Sequence, residues 1–352
     1  MTTTTSRLRA FTNDDYPAWV AGSNLCYPDY PWSVEEARHD DDKWDHTRFF
    51  KKRIVAEEDG RMVGAVEVYH KPSRFHPDRY GFDVWVLPER RRRGHGGTLH
   101  DAAVALLRER DALAATAGVK ESMTDGVEFT RKRGWVEIKR DWESRLVPAG
   151  FDFEKFAGAT ERVTAQGIRI TTYADELARD PDAPHKAFDL IDECRRDVPA
   201  MDAPTDITFD EWRKDWTESP SFLADAFFAA IDSRGRWLGM SNLQRSIEDP
   251  SFIWQGLTGV RREARGKGLA MALKLETVRY ARSLGVDHIK TWNDQSNRPM
   301  LAINEAMGFA RQPAWLGLEL RLSCRGVSRC GLCPELCLLA RRLGFARGCF
   351  RP

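Results

Sequence analysis

Across 352 residues, 54 lysines and arginines almost balance 53 aspartates and glutamates, which argues against a global field for nucleic acid and leaves the basic runs to be read locally. The length accommodates two domains of ordinary size, each able to bury its own core. No apolar run reaches membrane-spanning length, and Met1-Thr2-Thr3-Thr4-Thr5 lacks the apolar stretch of a signal peptide, so a soluble, cytoplasmic protein with no membrane partner is expected.

In chain order, a short strand is predicted near Leu8 to Ala10, then helical segments around Asp14 to Leu25 and Ser33 to Lys43. Strands from Arg53 to Glu58 and Met62 to Tyr69 flank Glu58-Asp59-Gly60, a hairpin signal because Asp-Gly accepts the left-handed backbone of a tight turn. A strand from Tyr80 to Leu87 stops at Pro88; after the basic loop Arg91-Arg92-Arg93-Gly94-His95-Gly96, residues Leu99, Ala102, Ala103, Leu106 and Leu107 recur at helical spacing. A glycine loop between strand and helix presents backbone N–H groups and a helix N-terminus to a phosphate.

The same order returns downstream. A strand from Ile168 to Thr172 precedes helices near His185 to Arg195 and Phe209 to Thr217, a hairpin turning at Asp232-Ser233-Arg234-Gly235, and a strand from Ile253 to Val260. The second loop, Arg265-Gly266-Lys267-Gly268-Leu269-Ala270, opens a helix from Met271 to Leu284, and a strand at His288 to Trp292 and a helix at Asn297 to Met307 follow. Both loops fit R-x-x-G-x-G/A at an offset of 174 residues; the same ungapped offset relates Gly134-Trp135 to Gly308-Phe309, Val86 to Val260, Glu89 to Glu263, Leu99 to Leu273 and Val104 to Val278. The chain therefore reads as a duplication: residues 1–147, a connector at 148–166 with an amphipathic helix presenting Phe153, Phe156 and Ala157, residues 167–322, and a tail at 323–352.

With strand, glycine loop, helix, strand, helix and Gly-aromatic in this order, both units resemble the GNAT superfamily of acetyl-CoA-dependent N-acetyltransferases. The resemblance implies an α/β (α+β) chain of two tandem GNAT folds, each a mixed, mostly antiparallel sheet flanked by helices. It is more specific in the second unit, where Asn297-x-x-Met300-x-x-x-Asn304-x-x-x-Gly308-Phe309 is similar to the family segment N-x-x-A-x-x-x-Y-x-x-x-G-F. It implies that Thr258, Gly259 and Val260 line the pantetheine arm of acetyl-CoA, that Arg265, Gly266, Lys267, Gly268, Leu269 and Ala270 cradle its pyrophosphate, and that Asn297 lies near it. The counterparts in the first unit, Val84, Trp85 and Val86, then Arg91, Arg92, Arg93, Gly94, His95 and Gly96, are expected to be weaker, because Met123 and Thr130 replace Asn297 and Asn304. The second unit is expected to be the active one.

Where the family often has a tyrosine that protonates the departing thiolate, this chain has Asn304 and Thr130. An amide has no labile proton near neutral pH, so Asn304 is a catalytic candidate only as a hydrogen-bond donor. Attack on a thioester needs a neutral amine, yet no motif identifies the base: Asp192, Glu193, Asp197 and Glu211 are candidates in the second unit, and Asp83, whose match is Leu257, could serve the first unit only. Two readings follow, an N-acetyltransferase acting on a primary amine of a small molecule or peptide, and a non-catalytic coenzyme A-binding regulatory or interaction protein. The acceptor and the oligomeric state stay open. Five cysteines crowd the tail from Cys324 to Cys349 beside several arginines; the tail is read as a poorly ordered extension, with no metal site assigned.

Overall fold

A computed structural model describes residues 7–200 and 202–322; the cysteine-rich tail lies outside the described residues. The first repeat runs β1 (Arg7–Ala10), α1 (Tyr16–Cys26), α2 (Val34–Asp42), β2 (Lys51–Glu58), β3 (Arg61–Tyr69), β4 (Arg79–Val86), α3 (His95–Glu109), β5 (Ala114–Lys120), α4 (Thr124–Lys132) and β6 (Val136–Leu146). After a connector containing α5 (Ala159–Thr164), the second runs β7 (Arg169–Thr172), α6 (Tyr173–Arg179), α7 (Ala183–Arg196), α8 (Phe209–Asp215), β8 (Phe222–Ile231), β9 (Trp237–Arg245), β10 (Phe252–Val260), α9 (Leu269–Leu284), β11 (His288–Asp294), α10 (Arg298–Ala306), β12 (Ala310–Arg311) and β13 (Trp315–Arg321).

Local chemistry explains the predicted elements. Asp59 and Gly60 take φ of 50° and 75°, the left-handed pair that the hairpin between β2 and β3 needs. Leu99, Ala103 and Leu107 on α3 are fully buried against the sheet, and Leu273, Val278 and Ala281 on α9 repeat that face. The connector differs from expectation. Glu154–Phe156 forms one turn of 3₁₀ helix, Gly158 at φ 77° breaks it from α5, and Phe156 stacks on Phe151 at 5.4 Å rather than sharing a helical face with Ala157.

All thirteen strands join one sheet, in the order β1-β2-β3-β4-β5-β13-β6-β11-β10-β9-β8-β7, with β12 paired to β6. Pairing is antiparallel except at β4 with β5 and β10 with β11, which are parallel. Each parallel pair holds only briefly, Arg79 to Gly81 beside Ala114 to Thr116 and Phe252 to Trp254 beside His288 to Lys290, after which no ladder joins the strands. The order at the centre is an exchange: β13 from the second repeat lies between β5 and β6 of the first, and β6 of the first lies between β13 and β11.

Beside this seam Glu143 on β6 is completely buried, held by Lys120 at 3.1 Å, by Arg145 at 2.7 Å and by the Tyr30 hydroxyl. Asp29 adds contacts to Lys120 at 3.2 Å and Arg145 at 3.3 Å, and its carbonyl accepts from Lys290 at 2.8 Å. The seam is thus tied by charges from both repeats, which pair because an isolated ion there would be poorly hydrated.

Lys274 on α9 is a second buried cation, without a carboxylate. Its Nζ lies 3.4 Å from the Gln255 side-chain oxygen, and burial pulls its pKa down to about 7 from 10.5. The unfolded chain keeps this proton up to about pH 10.5 while the folded chain releases it near 7, so stability rises with pH across that window. Lys274→Met is expected to stabilise the protein at neutral pH, on the order of 2–4 kcal/mol, and to flatten that rise. Denaturant midpoints at pH 7 and 9.5 check it, and a variant less stable than the parent at both would refute it.

No helix among the described residues is long and apolar enough to cross a membrane.

Candidate functional site

The two glycine loops share one backbone design. After β4, a 3₁₀ turn at Pro88–Arg90 leads to Arg92 at φ 64° and Gly94 at φ 96°, and α3 starts at His95. After β10, a 3₁₀ turn at Arg262–Ala264 leads to Gly266 at φ 78° and Gly268 at φ 83°, and α9 starts at Leu269. The first loop places an arginine where the second has glycine, in a conformation that a side chain adopts only at some strain. Arg91 and Arg265 each donate Nε to the last carbonyl of the preceding strand, Val86 and Val260, at 3.1 Å.

The surroundings of the loops differ. A cavity of about 660 Å³ opens beside the first, where β4 and β5 diverge, and Val84, Trp85, Val86, Arg91, Gly94 and Gly96 are among its walls, with α4 along one side. A second cavity of about 320 Å³ adjoins it; Tyr27, Asp83, Val84, Trp85 and Gly118 line both. Arg92 also lines the larger cavity, whereas His95 is buried.

Asp83 stands at this junction. It is open to the cavity yet surrounded by protein, and poor hydration raises its pKa, opposed by a hydrogen bond from the Tyr69 hydroxyl at 2.9 Å and by Lys71. Gly81 permits this arrangement, because a Cβ there would meet the Tyr69 ring at 2.4 Å. Across the ladder Asp83 faces Glu67, whose ion pair with Arg53 at 2.8 Å leaves Asp83 as the less neutralised carboxylate. Desolvation also raises Glu67 and the Tyr27 hydroxyl; a tyrosine raised in this way keeps its proton at neutral pH.

Around the second loop the polar groups close on one another. Asp197, at the end of α7, receives both Arg262 and Arg265, whose guanidinium groups hold it down at about 2. The other predicted acids are also paired: Asp192 with Arg195 and Arg196, Glu193 with Arg261, and Glu211 with Arg48. Lys267 lies between the two glycines and Ala270 in the first turn of α9, and the Lys267 carbonyl accepts from Gln166 at 3.2 Å. Thr258 bonds Ser241 at 2.8 Å, while Gly259 lies against Cys194, which an added Cβ would meet at 2.5 Å. Asn297 caps α10 through the Met300 N–H at 3.4 Å, and Asn304, nearly fully buried, donates to Asn293 at 2.6 Å.

Two features of the second repeat lay beyond an ungapped alignment. The ladder between β9 and β10 shifts register between Gln255 and Thr258, so a bulge falls beside Leu257, the match of Asp83. Trp292 stands at the position of Gly118 and stacks on Trp254 at 4.8 Å. In the first repeat, Thr130 turns its hydroxyl onto the Gly126 and Val127 carbonyls at 3.1 and 3.0 Å, and Met123 begins α4 without a side-chain cap. Tyr27, Glu67, Trp19, Trp32 and Trp315 line the smaller cavity without belonging to any motif of the sequence; the aromatic run Tyr27-Pro28-Asp29-Tyr30-Pro31-Trp32 is the local signal for them.

Residues 18–135 match the profile of the Acetyltransferase (GNAT) family. A mycothiol acetyltransferase of Pseudarthrobacter chlorophenolicus is 26% identical over 67% of this chain and 68% of that protein, and one of Thermomonospora curvata is 27% identical over 74% and 79%. The first repeat carries a GNAT acetyltransferase domain. The chain's tandem GNAT architecture also appears in the solved structure of a tandem GNAT protein from the clavulanic acid biosynthesis pathway, at TM-score 0.71 and 21% identity, covering 90% of this chain and 98% of that one. The GNAT profile falls on the repeat that carries both cavities.

Proposed function

We propose that the first repeat carries the reaction, binding acetyl-CoA in the larger cavity and transferring acetyl to a primary amine of a small molecule in the smaller one. The observation that carries this reading is the junction of the two cavities at Asp83. This reading departs from the preference for the second loop, which rested on Asn297 and Asn304; there Asp197 already engages Arg262 and Arg265, and the residue matching Asp83 is Leu257.

The residues present fit the coenzyme. Gly94 at positive φ turns the chain into α3 at the cavity wall, where a helix N-terminus suits an anion, and Arg91 and Arg92 add positive charge for a pyrophosphate. The exposed edge of β4 beyond Gly81 is free to pair with an amide-bearing arm. When bound, acetyl-CoA supplies an activated acetyl thioester. Asp83 takes the proton that the attacking amine must lose, a role that its raised pKa favours near neutral pH. Tyr27 lines both cavities, and its hydroxyl, which keeps its proton at neutral pH, is the donor in place of Thr130, whose own hydroxyl is bonded within α4. A cytoplasmic setting accompanies this reading, and the free, buried Cys26 and Cys194 suit a reducing compartment.

Separate loop substitutions test the assignment. Arg91→Ala is expected to weaken acetyl-CoA binding by about 10- to 100-fold, the range for one charge-assisted hydrogen bond, while Arg265→Ala leaves it within about threefold. Titration calorimetry measures both. Loss of binding in the Arg265 variant alone would return the site to the second repeat.

A further inference from the structure

The geometry points to a compact aromatic amine, of the arylalkylamine class, as the acceptor. This inference deepens the proposed function and rests on its assignment of transfer to the first repeat. The smaller cavity, about 320 Å³, is walled by six aromatic side chains: Trp19, Tyr27, Tyr30, Trp32, Trp85 and Trp315. Its size is at the small end of ligand pockets, which run from about 300 to 1,000 Å³. Ser23, Glu67 and Asp83 are the polar residues besides the tyrosines on its wall.

Part of that polarity is already used. The Trp315 indole N–H donates to the Tyr30 hydroxyl at 3.1 Å, and that hydroxyl also meets Lys120 at 2.7 Å and Glu143, so both groups are tied into the seam. Glu67 is engaged by Arg53. Trp19 and Trp32 pack edge to face at 4.7 Å, and Trp85 lies over Gly22, where a Cβ would strike its ring at 2.3 Å. The walls are thus fixed by packing and by internal hydrogen bonds. Asp83 remains at the mouth toward the larger cavity, so an acceptor fits with its amine at Asp83 and its body among the rings.

Such a box favours an aromatic body on two grounds, burial of apolar area and edge-to-face or stacked contacts between rings. A polyhydroxylated amine of similar size would set several hydroxyls against ring faces, with a penalty of about 1–3 kcal/mol for each one left unpaired. A peptide amine would have to pass its backbone through a cavity with few partners for amides. Trp315 reaches this wall from β13, so the acceptor box of the first repeat is incomplete without the second.

The test uses the full chain with 2-phenylethylamine, hexylamine, glucosamine and a lysine-containing tripeptide. Thiol release from acetyl-CoA is measured alongside direct binding of each amine by tryptophan fluorescence. The expected result is a kcat/KM for 2-phenylethylamine about 100-fold or more above that for glucosamine, with hexylamine between them, and saturable quenching by 2-phenylethylamine without acetyl-CoA. Trp32→Ala, which alters a wall of the smaller cavity only, is expected to lower kcat/KM for 2-phenylethylamine at least about tenfold while the acetyl-CoA Kd stays unchanged. Glucosamine or the tripeptide outpacing 2-phenylethylamine, or no saturable quenching by it, overturns the inference. Quenching that Trp32→Ala weakens, with acetyl-CoA binding lost through Arg265→Ala and not Arg91→Ala, supports the aromatic box and refutes the coenzyme assignment instead.

Discussion

Asp83→Asn is expected to lower kcat/KM for the amine by about 10²- to 10⁴-fold, the range that a positioned general base contributes, while acetyl-CoA binds as before. The carboxylate sits where the two cavities meet, and its replacement keeps the size of the side chain and the contact with the Tyr69 hydroxyl. Only proton acceptance is lost. In the parent protein the base must be ionised, so activity falls as the pH drops through the pKa of Asp83. Because burial raises that pKa, the acid limb should lie above the ordinary aspartate range of about 4. In Asp83→Asn the limb should vanish with the rate, and an unchanged pH profile at full activity would remove Asp83 from the mechanism. Glu67→Gln provides the contrast: the Arg53 guanidinium already occupies its carboxylate, so its effect should be the smaller.

The second large effect concerns the seam. Glu143→Ala is expected to destabilise the protein by about 3–5 kcal/mol, the usual consequence of removing one partner from a buried charged group. Lys120 and Arg145 would keep Asp29, which is half-exposed, but lose a carboxylate that no water reaches. The loss should register in both repeats together, because β6 pairs with β11 and β13, and β13 with β5. Urea unfolding followed by tryptophan fluorescence and by circular dichroism should give one shifted transition by both probes. A shift below about 1 kcal/mol, or two separated transitions, would contradict a shared seam. The same variant removes the acceptor of the Tyr30 hydroxyl while its contacts with Lys120 and Trp315 remain, so the KM for an aromatic amine should rise only modestly under conditions where the chain is folded.

Much of each repeat was legible from residue patterns. Asp59-Gly60 announced the first hairpin, and the apolar face of α3 emerged from Leu99, Ala103 and Leu107. The glycines of both loops were found because a strand-to-helix turn of this shape needs positive φ, a local requirement written into residue type. Less legible was the difference between the loops. Asn297 and Asn304 matched a family pattern, but a pattern does not reveal that Asn304 is bonded to Asn293, or that Asp197 reaches Arg262 and Arg265 from another helix. The connector was misjudged because Phe153, Phe156 and Ala157 suit a helical face, whereas Gly158 interrupts it within one turn.

Duplication, strand-and-helix order, the glycine loops between strand and helix, and the asymmetry of Asp83 against Leu257 were all legible in the sequence alone, since each depends on residues close together in the chain or on one fixed offset. Three matters were decided only by the tertiary structure: that the first loop opens on a cavity, which strand closes which repeat, and which aromatic rings share a cavity with Asp83. These depend on contacts between residues as distant as Tyr30 and Trp315, or Glu143 and Lys120. No local pattern encodes them, because strand exchange leaves the hydrophobic alternation of β6 and β13 unchanged while altering every neighbour they meet.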